Sequence, residues 1–364
     1  MKFAWQIGLA AFLTVGFVGN INQAWAQEAA RATEEKAEEK PAATEEKTEK
    51  EFAPASVEEG TKELLALLRD RSPDALPVKQ RYAKGVAMIN KMWDMERSPA
   101  ETSQLTNYKM QLLTMLNRLG DEDAEEQLNS FIAETKKGIL SSAPSADSAA
   151  MASQLASTLS FSLKPEEAAT VINELADHFK DSGNEEVEKA AASLIGMARR
   201  FNLPGNPIEL TGTKLNGEEL NFPAAFKGKT VVIDFWATWC GPCIAEFPNM
   251  KKLYKAYHEH GFEIVGISLD DTKPVVETFV EEREIPWTIV WNDKGGERGW
   301  SDVNSVRYGI TGIPTMIFVG KDGNVVSISA RGKELDELLA EAYPDVKVEE
   351  EKPEEEAKTE ETGE

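Results

Sequence analysis

The sequence contains only two cysteines, Cys240 and Cys243, among its 364 residues. This number excludes a fold held together by several disulfides, and it also excludes a zinc site of four cysteines. The three histidines leave little for a histidine-rich metal site. Basic residues are in the minority, since 40 Lys and Arg stand against 63 Asp and Glu, a net charge of -23. We therefore expect no nucleic acid partner, because binding phosphate requires a basic surface.

Long apolar runs are also lacking, except for one at the N-terminus. Residues 3–18 carry no charge and follow Lys2, and residues 24–26 read Ala-Trp-Ala, the small-x-small pattern of a cleavage site. We predict a signal peptide at residues 1–26, cleaved after Ala26, and export to the periplasm or cell envelope. The alternative is an uncleaved N-terminal membrane anchor, for which this run is slightly short.

The charge is concentrated in two segments that have little to bury. Residues 27–52 carry a net charge of -4 and residues 345–364 a net charge of -7, so together they supply 11 of the 23 excess negative charges. We predict a disordered acidic linker at residues 27–55 and a disordered acidic tail at residues 346–364.

The remaining length is enough for roughly two domains. Between residues 56 and 203, apolar residues recur at spacings of three and four, and no β-branched alternating run occurs. This pattern predicts a separate all-α domain of six or seven helices. The breaker cluster Pro204-Gly205-Asn206-Pro207 marks the boundary to a second domain at residues 204–345.

Strand and helix patterns alternate in the second domain, which predicts an α/β fold with a central mixed sheet and helices on both faces. A hairpin is expected at residues 208–222 and another around Lys321-Asp-Gly-Asn. The predicted strands are 230–236, 262–269, 287–291, 315–319 and 325–329, and the predicted helices are 241–260, 274–284 and 333–343.

The two cysteines lie in the sequence Trp239-Cys240-Gly241-Pro242-Cys243, where a buried strand ends and a helix begins. The N–H groups and partial positive charge of a helix N-terminus stabilise a thiolate. Cys240, at the open end, is therefore the predicted attacking thiolate, and Cys243, one turn further on, can resolve a mixed disulfide. A static structural disulfide and half of a zinc site are the alternatives, although zinc would need two further ligands.

Residues 232–243, Val-Ile-Asp-Phe-Trp-Ala-Thr-Trp-Cys-Gly-Pro-Cys, resemble the active site of the thioredoxin superfamily. Residues 244–248, Ile-Ala-Glu-Phe-Pro, and residues 266–271, Gly-Ile-Ser-Leu-Asp-Asp, resemble its exported TlpA/ResA branch, which carries redoxin and AhpC/TSA-type domains. Residues 312–315, Gly-Ile-Pro-Thr, are similar to the cis-proline loop of that fold. The resemblance covers about residues 204–344 and implies a thioredoxin-like fold preceded by the helical domain.

The resemblance implies a role for several residues. Cys240 would be the nucleophile and Cys243 the resolving cysteine, while Asp234 would relay a proton to Cys243 and Glu246 would tune the thiols. A structural acid is the alternative for Asp234, and a solvated helix residue for Glu246. Pro314, preceded by Ile313, would be cis and would offer backbone groups to an extended substrate; its alternative is a trans proline at a strand edge. The implied substrate-binding residues are Trp239, Gly241, Pro242, Ile313 and Pro314.

The resemblance also implies a function, namely reduction of disulfides in substrate proteins with electrons from a membrane electron donor. The redox-active disulfide Cys240–Cys243 would serve in place of a cofactor, and no metal is expected. The partner of the helical domain stays open. Two other functions are considered: a thiol peroxidase with an antioxidant role, and an envelope scaffold that carries a passive thioredoxin module.

Two groups of residues allow more than one interpretation. Met88, Met92 and Met95 could form a core stripe or a copper site, and the core stripe is favoured because methionine fills helical cores. Three tryptophans, Trp287, Trp291 and Trp300, could pack in the core or form a substrate rim near the cysteines.

Overall fold

The structure is a computed structural model that describes residues 52–293, 296 and 298–348. The predicted signal peptide lies outside the described residues, as do most of the predicted linker and tail. Contacts divide the chain into two compact units. The first comprises the described residues up to Ala143 together with Ala150–Ser162, and the second comprises Pro144–Ala149 together with the residues from Leu163 onward.

The first unit is built from helices. The start of one is fixed by a capping box, in which Ser98 Oγ accepts from the Glu101 N–H and the Glu101 carboxylate accepts from the Ser98 N–H. Of the methionine stripe, Met88 and Met92 are buried in the core, whereas Met95 is half-buried. The helices are α1 (Val57–Arg69), α2 (Val78–Trp93), α3 (Pro99–Arg118), α4 (Ala124–Ser141) and α5 (Ala146–Ser162), of which α5 begins in the second unit.

Helices α6 (Pro165–Phe179) and α7 (Glu185–Phe201) lie in the second unit. Helix α7 packs closely against the turn after a short helix, α10 (Val303–Arg307). A Cβ atom at Gly196 would lie 2.5 Å from the Gly309 nitrogen, and Gly309 has a positive φ of 54°. Two backbones therefore meet at a contact that only glycine permits.

All elements between residues 56 and 203 are helices, which confirms the all-α prediction for this region. The grouping of α6 and α7 with the sheet does not follow the boundary expected at residue 204, and that boundary stays a prediction. No helix among the described residues is long and apolar enough to cross a membrane.

The second unit contains a five-stranded mixed sheet of order β3-β2-β1-β4-β5. The β1–β2 and β2–β3 pairs are parallel, whereas β1–β4 and β4–β5 are antiparallel. All seven residues of the central strand β1 are buried, so the loop that follows the strand starts from a fixed position in the core. The predicted thioredoxin-like mixed sheet with helices is thus confirmed. Its strands are β1 (Thr230–Trp236), β2 (Phe262–Ser268), β3 (Thr288–Val290), β4 (Thr315–Val319) and β5 (Val325–Ser327).

Three longer helices accompany the sheet: α8 (Gly241–Tyr257), α9 (Lys273–Glu282) and α11 (Lys333–Ala342). An aromatic cluster joins the central strand to the first two. The ring centroid of Trp236 on β1 lies 5.1 Å from that of Phe247 on α8 and 5.4 Å from that of Phe279 on α9. Both helices are therefore anchored directly beyond the C-terminal end of β1.

The segment 204–215, which precedes β1, is hydrogen-bonded to both edge strands. At β5, the Val325 N–H donates to the carbonyl of Asn206 at 2.8 Å. At β3, the Leu215 N–H donates to the carbonyl of Ile289 at 3.1 Å. One stretch of chain thus covers both outer strands.

The hairpin predicted at residues 208–222 is present as a short turn around Asn216 and Gly217, although its arms are too short to form strands. Its two arms meet at the antiparallel bridge Thr213–Glu219, where the Lys214 N–H donates to the carbonyl of Glu218 at 2.8 Å and the Leu220 N–H to that of Gly212 at 2.7 Å. The first arm also bonds to β3, where the Leu215 N–H donates to the carbonyl of Ile289 and Lys214 forms an antiparallel bridge with Val290. The helix expected to reach His260 ends as an α-helix at Tyr257 and continues as a 3-10 turn, which Gly261 terminates at a φ of 100°. The other predicted elements agree with the structure within two residues.

Candidate active site

The junction of β1 and α8 places the two cysteines together. Cys240 is the N-cap of α8, and its Sγ accepts a hydrogen bond from the Cys243 N–H at 3.2 Å. The two residues form a disulfide, with their Cα atoms 5.3 Å apart. Cys240 is 5% exposed and Cys243 is fully buried, so the sulfur nearer to solvent is the one at the helix N-terminus. This is the arrangement predicted for an attacking and a resolving cysteine.

The residues around the disulfide leave its outer side open. Trp239 is 56% exposed, and nothing lies within 4 Å of the position that a Cβ of Gly241 would take. Pro242 lies in the first turn of α8, where its missing N–H removes no helical hydrogen bond. An approaching sulfur atom therefore meets little obstruction on the side of Trp239 and Gly241.

The loop that contains Ile313 and Pro314 lies beside the cysteines. Thr315 pairs with Phe235, so the two preceding residues stand next to the C-terminal end of β1. The Ile313–Pro314 peptide bond is cis, as the resemblance predicts. Both side chains are half-buried. Their role in substrate binding stays a prediction.

Asp234 is a buried carboxylate in the middle of β1. It is fully buried, and neither of its carboxylate oxygens has a hydrogen-bond partner. The pKa of Asp234 is raised to about 8, mainly by burial and also by the negative charge of Glu246, while the positive charge of Arg331 acts in the opposite direction. A buried acid with this pKa can accept and release a proton near neutral pH.

Glu246 and Arg331 form an ion pair next to this acid. Glu246 lies on α8 and its Oε1 is 3.4 Å from Nη2 of Arg331, which precedes α11. The Glu246 side chain is 19% exposed and that of Arg331 42% exposed, so water reaches both. Glu246 is therefore a partly exposed carboxylate whose charge acts on the buried Asp234. The tuning role that the resemblance implies requires such a position.

Asp270 is a site residue for which the sequence analysis assigned no role. Its carboxylate accepts from the Thr238 N–H at 3.0 Å, from Thr238 Oγ1 at 2.6 Å and from Ser268 Oγ at 2.8 Å, and it is 3% exposed. Thr238 stands two residues before Cys240, so Asp270 holds the loop that carries the nucleophile. Its position just after β2 was the available signal, because adjacent parallel strands end at the same edge of a sheet.

The tryptophans are divided between core and surface. Trp287 and Trp291 are buried, and the Trp291 Nε1–H donates to the carbonyl of Asp270 at 2.8 Å. Trp300 is 47% exposed, and its ring centroid lies 6.2 Å from that of Trp239. Of the three, only Trp300 therefore belongs to the rim of the site.

The described residues contain no group of three or more His, Cys, Asp or Glu side chains that could hold a metal ion. Zinc coordination by the cysteine pair would thus lack further ligands of these types within the described part of the chain. The chemistry that the arrangement supports is thiol–disulfide exchange.

Comparison with known proteins supports the same chemistry. The Redoxin family model matches residues 198–340. Thiol-disulfide oxidoreductase ResA of Bacillus thuringiensis subsp. konkukian is 36% identical over 129 residues, which cover 35% of this chain and 69% of that protein. The ResA protein of Oceanobacillus iheyensis is 41% identical over 112 residues, which cover 31% of this chain and 55% of that protein.

A solved structure is also similar. The crystal structure of the thioredoxin domain of a thiol-disulfide oxidoreductase from Bacteroides vulgatus shows 30% sequence identity, with a TM-score of 0.35. The match covers 38% of this chain and 96% of that one. The helices α1–α6 precede the residues matched by the Redoxin model. Given the cysteine pair and the sequence identity to ResA proteins, the chain belongs to the ResA-like family of thiol-disulfide oxidoreductases.

Proposed function

We propose that the protein reduces disulfides in exported substrate proteins. The observation that carries this proposal is the Cys240–Cys243 disulfide at the N-terminus of α8, with Cys240 at the exposed end. The helix N-terminus stabilises the Cys240 thiolate in the reduced protein. The open surface beside Trp239 and Gly241 gives a second polypeptide access to this sulfur.

The exchange has two steps. The Cys240 thiolate attacks one sulfur of the substrate disulfide, so that a mixed disulfide forms, the substrate S–S bond breaks and one substrate thiolate leaves. Cys243 then loses its proton and attacks Cys240 Sγ, which re-forms the Cys240–Cys243 disulfide and releases the second substrate thiolate. Each substrate thiolate takes up one proton. Two electrons pass from the protein to the substrate, and a dithiol donor of the membrane restores the reduced pair.

Asp234 is the proposed acceptor of the Cys243 proton. Both residues are fully buried, and a pKa of about 8 suits transfer from a thiol. Glu246, paired with Arg331, adjusts the proton affinity of Asp234 and links it to solvent. Ile313 and Pro314 offer the backbone of their loop to the extended substrate.

The direction of electron flow is supported by the residues around the cysteines. Gly241 and Pro242 between the cysteines, and Ile313 before the proline, resemble reducing thioredoxins more than oxidising exported relatives. Export itself is supported by the N-terminal run before Ala26. N-terminal sequencing of protein recovered from the cell envelope is expected to begin at Gln27, whereas retention of residues 1–26 would support the anchored alternative.

The reduction potential tests the function. Equilibration of the protein with a dithiol buffer is expected to give a potential near that of thioredoxin, about −270 mV. A value near about −120 mV would instead make the protein an oxidant and overturn the direction. The absence of any reversible couple would leave a structural disulfide.

Two cysteine variants provide the mechanistic control. We expect Cys243→Ser to accumulate a mixed disulfide with substrate, because the attack occurs but resolution does not. Cys240→Ser should form none on the same substrate. Equal trapping by both variants would contradict the assignment of the nucleophile.

A further inference from the structure

Three of the large apolar side chains that are exposed among the described residues lie near the loop that carries Cys240: Trp239 precedes it, Trp300 faces Trp239, and Val275 lines a cleft together with Thr238. Trp239 is 56% exposed, Trp300 is 47% exposed and Val275, on α9, is 49% exposed. Isolated exposed apolar residues are common on proteins, but three around one reactive group form a patch that favours contact with another molecule. The two tryptophan rings lie 6.2 Å apart, centroid to centroid, and form one edge of this patch.

A cleft continues the patch along α9. Its volume is about 390 Å³, and it is lined by Thr238, Pro274, Val275, Thr278, Phe279 and Glu282. The lining joins the reactive loop to the helix, because Thr238 lies two residues before Cys240. We name the combination of Trp239, Trp300 and this cleft the α9 surface.

The α9 surface is within reach of any chain that is joined to Cys240. Consecutive Cα atoms are 3.8 Å apart, so Thr238 lies within about 8 Å of Cys240. A substrate in an extended conformation advances about 3.3 Å per residue. The side chains within two or three positions of the substrate cysteine therefore fall on the tryptophans or in the cleft.

The charges around the cleft are mainly negative. Between Asp271 and Glu284 the chain carries five carboxylates and two cations, and the side chains of these carboxylates are exposed. One carboxylate, Glu277, is paired with Lys273 at 3.1 Å, and Arg283 lies 5.7 Å above the Phe279 ring. The net negative charge attracts basic residues and repels acidic ones.

We propose that the α9 surface selects substrate segments that are extended, carry an apolar residue next to the cysteine and are basic further along. This inference rests on the proposed function and adds the substrate class. The apolar residue enters the cleft against Val275 and Phe279, and the basic residues contact the carboxylates of α9. The exchange chemistry is the same two-step transfer of two electrons described above.

The test measures reduction of peptide disulfides by the full-length protein, previously reduced and used at stoichiometric concentration. The peptides are disulfide-linked homodimers that differ only in the residue beside the cysteine, Leu or Ser, and in the flanking charges, Lys or Glu. Oxidised glutathione serves as a reference disulfide, because its glycine and γ-glutamyl group offer no apolar side chain to the cleft. We expect the Leu/Lys peptide to react fastest, and its advantage over the Leu/Glu peptide to shrink as salt is raised.

The protein variants use two valines of similar exposure. Val275→Thr exchanges one methyl group in the cleft for a hydroxyl, and we expect the ratio of the Leu/Lys peptide rate to the glutathione rate to fall about three- to fivefold. Val326 lies on β5 and is 52% exposed. We expect the control Val326→Thr to leave this ratio unchanged. Trp300→Ala should lower the ratio as well, since it removes one side of the patch.

The outcomes separate the inference from the proposed function. If neither peptides nor glutathione are reduced, the proposed function fails. If all are reduced but the peptides do not differ, or if Val275→Thr matches Val326→Thr, the α9 surface does not select substrates. A preference for the Leu/Glu peptide would overturn the assignment of charge.

Discussion

Asp234 links the stability of the fold to the chemistry of the site. Its pKa is raised from 3.8 to about 8, so the folded protein keeps a proton that the unfolded chain has already released. Stability should therefore decrease as the pH rises from about 4 to about 8 and become constant above that. At pH 7 the loss corresponds to a free energy on the order of 4 kcal/mol.

We expect Asp234→Asn to remove this pH dependence. In oxidised protein, denaturant unfolding should show a gain in stability that is small near pH 4 and grows towards pH 8. A buried acid with hydrogen-bond partners gives the contrast: Asp302 accepts from the Asn304 and Ser305 N–H groups, so Asp302→Ala should destabilise the protein. An equal gain for Asp234→Asn at all pH values would contradict the argument.

Asp270 is expected to act on the site through Thr238. In Asp270→Asn, an amide N–H replaces one acceptor oxygen and faces the donors of Thr238 or Ser268, so we expect a loss of about 2 kcal/mol in unfolding free energy. The loosened loop should also change the rate at which reduced Cys240 is alkylated. Asp271→Asn, at the exposed neighbouring position, is the control and should alter stability by less than about 0.5 kcal/mol.

Local sequence was sufficient for some site residues and not for others. Cys240 and Cys243 could be placed because a strand followed directly by a helix fixes their surroundings within five residues. Asp270 and Trp300 lie in loops that follow Cys240 by 30 and 60 residues in the sequence. Their contacts with Thr238 and Trp239 depend on strand register and on the path of the β3–α10 loop, neither of which has a local signal.

At the level of elements, the contact between α7 and the turn after α10 should tolerate no side chain. In Gly196→Ala the new methyl would lie 2.5 Å from the Gly309 nitrogen and 2.6 Å from the Val306 oxygen, which are backbone atoms that cannot rotate away. We expect a loss of about 3 kcal/mol in unfolding free energy, although alanine is the better helix former.

A glycine on another helix gives the matched control. Nothing lies within 4 Å of the position of a Cβ at Gly138 on α4. We expect Gly138→Ala to stabilise its unit by about 0.5–1 kcal/mol, as helix propensity alone requires. Opposite signs for the two substitutions, measured by denaturant unfolding, would support the packing argument, whereas stabilisation by both would refute it.

Elements with strong periodicity were predictable, whereas the weakly patterned segment before β1 was predictable only in part. Strand β1 is apolar except for Thr230 and Asp234, and α8 begins at a proline-containing first turn, so their positions follow from the sequence. Residues 208–222 contain turn signals that favour a hairpin. The turn forms, but its first arm also pairs with β3, and that contact depends on an edge that exists only after the sheet has formed.

For the whole molecule, the net charge of -23 should make stability depend on salt. Like charges repel in the compact state, and raising NaCl from about 10 mM to about 100 mM shortens the screening length from about 30 Å to about 10 Å. We expect the melting temperature to rise by a few degrees over this range. A chain that ends at Val348 has a smaller negative charge and should respond less; an equal response would exclude the tail as a contributor.

The overall organisation was predictable only in outline. The change from helical to alternating pattern near Pro204 is clear in the sequence, and both an all-α region and a mixed sheet are present. Helices α6 and α7 nevertheless group by contacts with the sheet. Their attachment depends on the close contact between the backbones of Gly196 and Gly309. A glycine within a helix does not indicate which other segment of the chain will contact it.

The segment 204–215 has a consequence for how the chain avoids self-association. Edge strands with unpaired backbone groups act as templates for strands of other molecules. Here β3 and β5 both bond to the same stretch of chain, at Leu215 and Asn206 respectively. Binding of this one segment therefore covers both edges of the sheet. Until the segment binds during folding, both edge strands can pair with strands of other molecules.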